Sequence, residues 1–254
     1  MKMVLALKKN SKNCKSIDDY LDLAYQFEID KYSIKPFQIR NEIHGLLKIL
    51  EKEKPDLMLE VGTANGGTLF LLSKIASDNA TILSIDLPNG SFGGDYYPDW
   101  KIPLYKSFAT KKQNIHLIRK DSHDVNTVNQ IKKLLGNKKL DFLLIDGDHT
   151  YEGVKRDFEL YSPLVAACGI IAFHDINPGP KDLVGGVPEF WKEISPMYTY
   201  LEIVDNDNSD SYGIGLLFYK LNNKISTRYT EALKVVNKLK ENHHNVKFEL
   251  SQGG

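Results

Sequence analysis

The chain is poor in cysteine, with two in 254 residues, and it carries no excess charge of either sign: lysine plus arginine and aspartate plus glutamate number 33 each. Cys14 and Cys168 form neither a CxxC pair nor a multi-cysteine framework, which points to free thiols in a reducing compartment rather than a disulfide-stapled secreted domain. The balanced charge draws the chain neither to nucleic acid nor to anionic lipid, so neither is an expected partner. Long apolar runs are also missing. No stretch approaches the ~18 consecutive apolar residues that span a bilayer, and in MKMVLALKKN the lysines interrupt the apolar run too early for an export signal. Internal repeats and low-complexity segments are absent. The expectation is a soluble, cytoplasmic protein, with neither nucleic acid nor membrane as partner.

What is present suffices for a sizeable core, with 42% hydrophobic and 10% aromatic residues. Residues 1–54 read as a helical extension. Ser16, with Asp19 three residues later, is an N-cap signal for a helix over 16–29, and a second helix is expected over 36–53, with Pro36 in its first turn and Pro55 ending it. Then five short apolar runs each end in an acid, at Glu60, Asp86, Asp121, Asp146 and Asp175. Their continuous hydrophobicity suits parallel strands covered on both faces, and the intervening segments 66–77, 124–135 and 152–166 carry helical periodicity. This pattern predicts an α/β fold with a doubly wound, mostly parallel sheet. A helix at 187–194 and two strands at 199–204 and 212–219 add an antiparallel edge pair; a last helix at 226–242 precedes a loose tail. The whole reads as one domain: 1–54 extension, 55–220 cofactor-binding core, 221–254 C-terminal helix and tail. The two extra N-terminal helices either cover a sheet edge or form a homo-oligomer contact.

Four features carry candidate chemistry. In LEVGTANGG the glycines follow a strand and open a helix, where backbone approaches a ligand closely; Gly62, Ala64, Gly66 and Gly67 are the candidate cofactor-binding positions. Glu60, just before the first glycine, suits a ligand bearing an ammonium group. Asp86, ending the next strand, is placed either to accept hydrogen bonds from ribose hydroxyls or to cap a turn before Pro88. Asp121 and Ser122 stand at the next strand end, with Ser122 and Asp124 as candidate caps for the following helix. Asp146, Asp148, His149, His174 and Asp175 gather at two adjacent strand ends, a set able to hold a divalent cation. Finally, the 87–108 segment is long, and its Tyr96, Tyr97, Trp100 and Tyr105 either stack on a substrate or pack the loop, with Tyr151 and Glu152 on the same rim.

The E-x-G-x-x-x-G pattern at 60–66 resembles the first motif of class I S-adenosylmethionine-dependent methyltransferases, and the resemblance covers about 56–220. It implies a Rossmann-like, seven-stranded sheet and S-adenosyl-L-methionine as cofactor, with Asp121 and Ser122 at the place where the family contacts its adenine. The 145–179 segment narrows the resemblance to metal-dependent O-methyltransferases, the catechol O-methyltransferase type with its sugar and macrolide relatives, a group that includes chains named cephalosporin hydroxylase. By that resemblance Asp146, His174 and Asp175 fall on the positions of the metal ligands, with Mg²⁺ or Mn²⁺ as the cation, and Asp146 also borders the cofactor. His174 stands where the family has a carboxylate, and imidazole favours Mn over Mg; the alternative leaves Asp148 or water to complete the shell. His149 matches the position of a catalytic lysine or histidine, which makes it a general base, the alternatives being a third metal ligand or a loop-packing residue. The implied acceptor is a hydroxyl of a small molecule, a sugar or natural product. A nicotinamide-dependent oxidoreductase and a non-catalytic cofactor-binding protein are the competing readings of the same fold.

Overall fold

The computed structural model describes residues 2–90, 97–110, 112–205, 211–220, 227–242 and 246–251. Two helices, α1 (Lys2–Ser11) and α2 (Ile17–Gln26), lead into a hairpin of β1 (Glu28–Ile29) and β2 (Tyr32–Ser33) and then α3 (Arg40–Glu53). The alternating core follows as β3 (Leu57–Val61), α4 (Gly67–Ile75), β4 (Thr81–Asp86), α5 (Ile102–Lys106), β5 (Asn114–Arg119), α6 (Val125–Leu135), β6 (Leu140–Ile145), α7 (Tyr151–Tyr161) and β7 (Val165–His174). The chain continues through α8 (Val187–Ile194), β8 (Thr199–Asp205), β9 (Ile214–Phe218), α9 (Thr227–Asn242) and β10 (Val246–Ser251).

The main sheet has the order β10-β8-β9-β7-β6-β3-β4-β5. Strands β3 to β7 pair in parallel, and β9, β8 and β10 extend the sheet through antiparallel pairings. The seven strands from Leu57 to Phe218 form the expected Rossmann-like, doubly wound sheet with its antiparallel pair. Successive residues of each central strand enter opposite cores. Met58, Ile82, Phe142, Leu144 and Ile170 pack with Leu21, Leu47, Phe70 and Val236 on one face. Leu59, Leu83, Leu143, Ile145 and Ile171 pack with Ile131, Phe158 and Phe190 on the other.

The N-terminal extension covers the first of these faces, with α2 against α4 and α3 against α9 and β8. Ser16 caps α2 as its sequence requires: its Oγ accepts from Asp19 N–H at 3.2 Å, and Asp19 Oδ2 accepts from Ser16 N–H at 2.9 Å. Helix α1 was not expected from the sequence, and the helix expected from residue 36 begins only at Arg40. Pro36 instead lies in an irregular stretch packed on Gly67, where a Cβ would stand 2.5 Å from Pro36 N and 2.2 Å from the Ile34 carbonyl oxygen. The expected loose tail is corrected as well. Val246–Ser251 pairs along β8 from Asp205 to Tyr200, and the added strand satisfies an edge that would otherwise expose its backbone groups.

Within the 87–108 segment Tyr96 lies outside the described residues. Tyr97 and Tyr105 are buried and pack on each other at a ring separation of 4.7 Å, with Phe108 5.3 Å from Tyr105, so they serve the core rather than a ligand. Trp100 is exposed and meets Tyr32 edge to face at 4.6 Å. Among the described residues no helix is long and apolar enough to cross a membrane.

Candidate functional site

The carboxyl ends of β3, β4, β5, β6 and β7 open onto two cavities that meet at Gly62, the placement expected of ligand sites in open α/β sheets. The larger, of about 440 Å³, is lined by the turn 62–68, Gln38, Asp146, His149, His174 and Asp175, with Phe37 and Leu183 at its walls. The smaller, of about 260 Å³, is lined by Asp86, Asp121, Ser122, His123 and Asp148 among others.

The turn between β3 and α4 is built around missing side chains. Gly62 has φ +94°, and a Cβ there would stand 1.8 Å from the Asp146 carbonyl oxygen, so only glycine lets β3 and β6 end this close together. Ala64 follows with φ +39°, held by Asp86: one carboxylate oxygen, Oδ2, accepts from the N–H groups of Thr63 and Ala64 at 2.8 Å each. The other oxygen of Asp86 is buried without a hydrogen-bond partner. Burial raises the pKa of Asp86, partly offset by those two N–H donors. The turn is braced from outside as well. Tyr105 donates its hydroxyl to the Ala64 carbonyl at 2.7 Å, and Lys101 donates to Asn65, whose amide in turn donates to Ser33 Oγ at 3.1 Å.

Glu60 is fully buried and lines neither cavity. Its Oε2 accepts from Ser84 Oγ at 3.2 Å, Ser84 bonds Thr63, and its Oε1 has no partner. Burial first, then the neighbouring charges of Asp146 and Asp86, push its pKa well above the ordinary carboxylate value. Glu60 therefore stands behind the glycine turn as a support, not in front of it.

Asp146 at the end of β6 and Asp175 at the end of β7 face each other across the larger cavity. Asp175 holds φ +62°, a left-handed conformation that aspartate tolerates better than most residues. Two histidines separate the carboxylates. His174 Nδ1 lies 3.3 Å from Asp146 Oδ1 and 3.1 Å from Asp175 Oδ1. His149 Nε2 lies 3.5 Å from Asp146 Oδ1, and its Nδ1 lies 3.3 Å from Asp175 Oδ2 and 2.5 Å from the Leu183 carbonyl oxygen. A carbonyl only accepts, so His149 Nδ1 carries the hydrogen and Nε2 faces Asp146. Burial disfavours the charged form of both rings, yet the aspartates outweigh it: His149 is raised, and His174 is raised well above the usual imidazole value. Asp146 is correspondingly held below the carboxylate range by His174 and His149 despite its burial.

Asp146, His149 and Asp175 each bring a ligand atom within 4.8 Å of the other two, a group able to hold a metal ion. The sequence expectation put His174 in the third place. His149 joins the two aspartates in this group, while His174 Nδ1 also lies within 3.3 Å of both carboxylates. Asp121 and Ser122 line the smaller cavity beside Asp86, and Asp124 caps α6 by accepting from Asn126 N–H at 2.8 Å. Tyr151 is tied to Glu193 and lies outside both cavity walls. Sequence reasoning missed Gln38, whose Nε2 donates to Asp146 Oδ2 at 2.6 Å, and the 182–186 segment that closes over His149. It also missed His123 beside Ser122, which lies 3.3 Å from the fully buried Asp157. Adjacency to Ser122 was a usable signal for His123; Gln38 had none.

Residues 59–176 match the family model described as a methyltransferase domain. The chain is 25% identical over 173 residues to the protein y4gI of Sinorhizobium fredii, a match covering 65% of this chain and 17% of that much longer protein. It superposes on the O-methyltransferase from Bacillus cereus solved with SAH, with a TM-score of 0.53, 16% identity, and coverage of 84% of this chain and 97% of that one. It likewise superposes on the O-methyltransferase TomG of Streptomyces achromogenes, involved in tomaymycin synthesis and solved with SAM, with a TM-score of 0.51, 14% identity, and coverage of 85% and 96%. At these identities the structural likeness is one of fold. The span that matches the methyltransferase domain contains the glycine turn and both aspartates, Asp146 and Asp175.

Proposed function

We propose that the chain transfers a methyl group from S-adenosylmethionine to a hydroxyl of a small molecule, a sugar or natural product, with help from a divalent cation. The observation that carries the reading is the convergence of Asp146, His149 and Asp175 beside the glycine turn. Two features fit the implied groups. The orphaned Asp86 Oδ1, next to the cavity that also holds Asp121 and Ser122, suits the hydroxyls of a ribose and its attached base. His149 Nε2 directed at Asp146 Oδ1 requires a proton or a cation between a lone pair and a carboxylate.

When bound, S-adenosylmethionine supplies an electrophilic methyl group and the cation supplies charge that acidifies an acceptor hydroxyl. The chain's own residues do the rest. Asp146 and Asp175 would hold the cation, and His149 stands beside them as the base. His174 keeps the two carboxylates in register. His149 Nε2, with Nδ1–H held on the Leu183 carbonyl, would accept the proton of the acceptor hydroxyl as its oxygen takes the methyl group from the sulfonium, and no covalent protein intermediate is needed. The turn from Gly62 to Gly67 fixes the donor against the acceptor, so positioning contributes much of the acceleration. The nicotinamide reading is not favoured, since the glycine turn falls inside the methyltransferase match.

Calorimetric titration with S-adenosylhomocysteine tests this reading, once after chelation and once with Mn²⁺ restored. Micromolar binding without metal, with further heat on adding Mn²⁺ that disappears in Asp146→Ala, is the expected result. Absence of binding in both conditions would reject it.

A further inference from the structure

Gln38 is the residue that ties the N-terminal extension to the reacting centre. It lies outside the matched domain, between β2 and α3, and is 5% exposed. Its side chain is held at both ends. Thr68 Oγ1, in the first turn of α4, donates to Oε1 at 2.7 Å, and Nε2 donates to Asp146 Oδ2 at 2.6 Å. Its backbone carbonyl accepts from the Tyr25 hydroxyl of α2 at 2.5 Å. The amide orientation is fixed by chemistry, because a carboxylate oxygen cannot accept from a carbonyl oxygen.

This arrangement divides the two oxygens of Asp146 between different tasks. Oδ2 is occupied by the amide of Gln38, whereas Oδ1 is the atom that approaches His149 and His174. We infer that Gln38 is a positioning residue that turns Asp146 to present a single oxygen, Oδ1, to a divalent cation, so that the N-terminal extension completes the cation site of the methyltransferase domain. The inference rests on the cation reading proposed above. It assigns Gln38 no contact with the acceptor. Partners that orient metal ligands from behind commonly change affinity by about 10–100-fold when removed.

Titration of the metal-depleted protein with Mn²⁺, followed by the electron paramagnetic resonance signal of the free ion, tests the assignment without turnover. Gln38→Leu keeps the side-chain size and removes the donor; Thr68→Val removes the anchor of the amide without altering Gln38 itself. The expected result is Mn²⁺ affinity about tenfold weaker in Gln38→Leu and weaker by a smaller factor in Thr68→Val, with partial recovery in Gln38→Asn and S-adenosylhomocysteine affinity within twofold of the parent throughout. Should Gln38→Leu fail to fold, Thr68→Val carries the same prediction alone. Parent-like Mn²⁺ affinity in these variants, with binding lost in Asp146→Ala, would overturn this inference and leave the cation reading intact. No Mn²⁺ binding by the parent would overturn both.

Discussion

Asp86 holds Ala64 in a left-handed conformation: the Ala64 N–H, at φ +39°, donates to Asp86 Oδ2 at 2.8 Å, while Oδ1 of the same carboxylate stays buried and unpartnered. One carboxylate thus shapes the turn with one oxygen, while the other is the atom proposed above to meet a ligand. Asp86→Ala should lose both functions. S-adenosylhomocysteine affinity is expected to fall at least about tenfold, and stability by about 1–3 kcal/mol because two N–H donors lose their acceptor. Calorimetric binding that matches the parent would remove Asp86 from the ligand site.

Of the three positive-φ positions of the turn, Gly62 and Ala64 should respond in opposite ways to exchange of glycine and alanine. Gly62→Ala places a methyl group against the Asp146 carbonyl and should destabilise the protein by roughly 4 kcal/mol or more, if it folds at all. Ala64→Gly should be neutral or stabilising by up to about 1 kcal/mol, since glycine adopts the φ of +39° without strain. Urea unfolding of the two variants beside the parent checks both signs.

His149→Ala should lower methyl transfer by about 10²–10⁴-fold, the usual contribution of a positioned base, while S-adenosylhomocysteine binding stays at the parent level. A saturating-cofactor assay with a hydroxylated acceptor reads the first quantity and calorimetry the second. A rate near that of the parent would leave His149 as a packing residue for the 182–186 segment.

Burial lowers the pKa of Lys101 to about 8, well below its ordinary value, although its ammonium reaches Asn65 in the glycine turn. A lysine with a lowered native pKa binds fewer protons folded than unfolded between about pH 8 and its unfolded pKa. Stability therefore rises with pH across that window and is least at or below pH 8. Comparing the parent with Lys101→Met cancels other titrating groups. Raising the pH from 8 to 9.5 should stabilise the parent relative to Lys101→Met by on the order of 1 kcal/mol. A flat difference between the two unfolding curves would place the Lys101 pKa outside this range.

The parallel strands and their order of appearance were legible because buried strands leave runs such as Leu140–Ile145, and because each ends in an acid. Asp146, His149, His174 and Asp175 were legible for the same reason: strand ends collect functional groups at one rim. What the sequence hid depends on three-dimensional register. Glu60 sits next to a glycine turn in sequence, yet strand alternation turns it into the core beside Ser84. Tyr97 and Tyr105 look like loop aromatics, and packing on Phe108 buries them. Val246–Ser251 alternates apolar and polar residues over only six positions near the end of the sequence, and pairing along β8 makes it a strand. That His149 converges with the two aspartates turns on side-chain direction after the strand end, which periodicity does not encode.

The bond from Gln38 to Asp146 joins residues 108 positions apart. During synthesis, at roughly 5–20 residues per second, the amide leaves the ribosome about 5–20 s before its acceptor. α2 precedes Gln38, and α3 and the turn after β3 follow within that interval, but the strand that leads to Asp146 comes only at its end. The helical extension therefore waits without this attachment until β6 and the residue after it have been made.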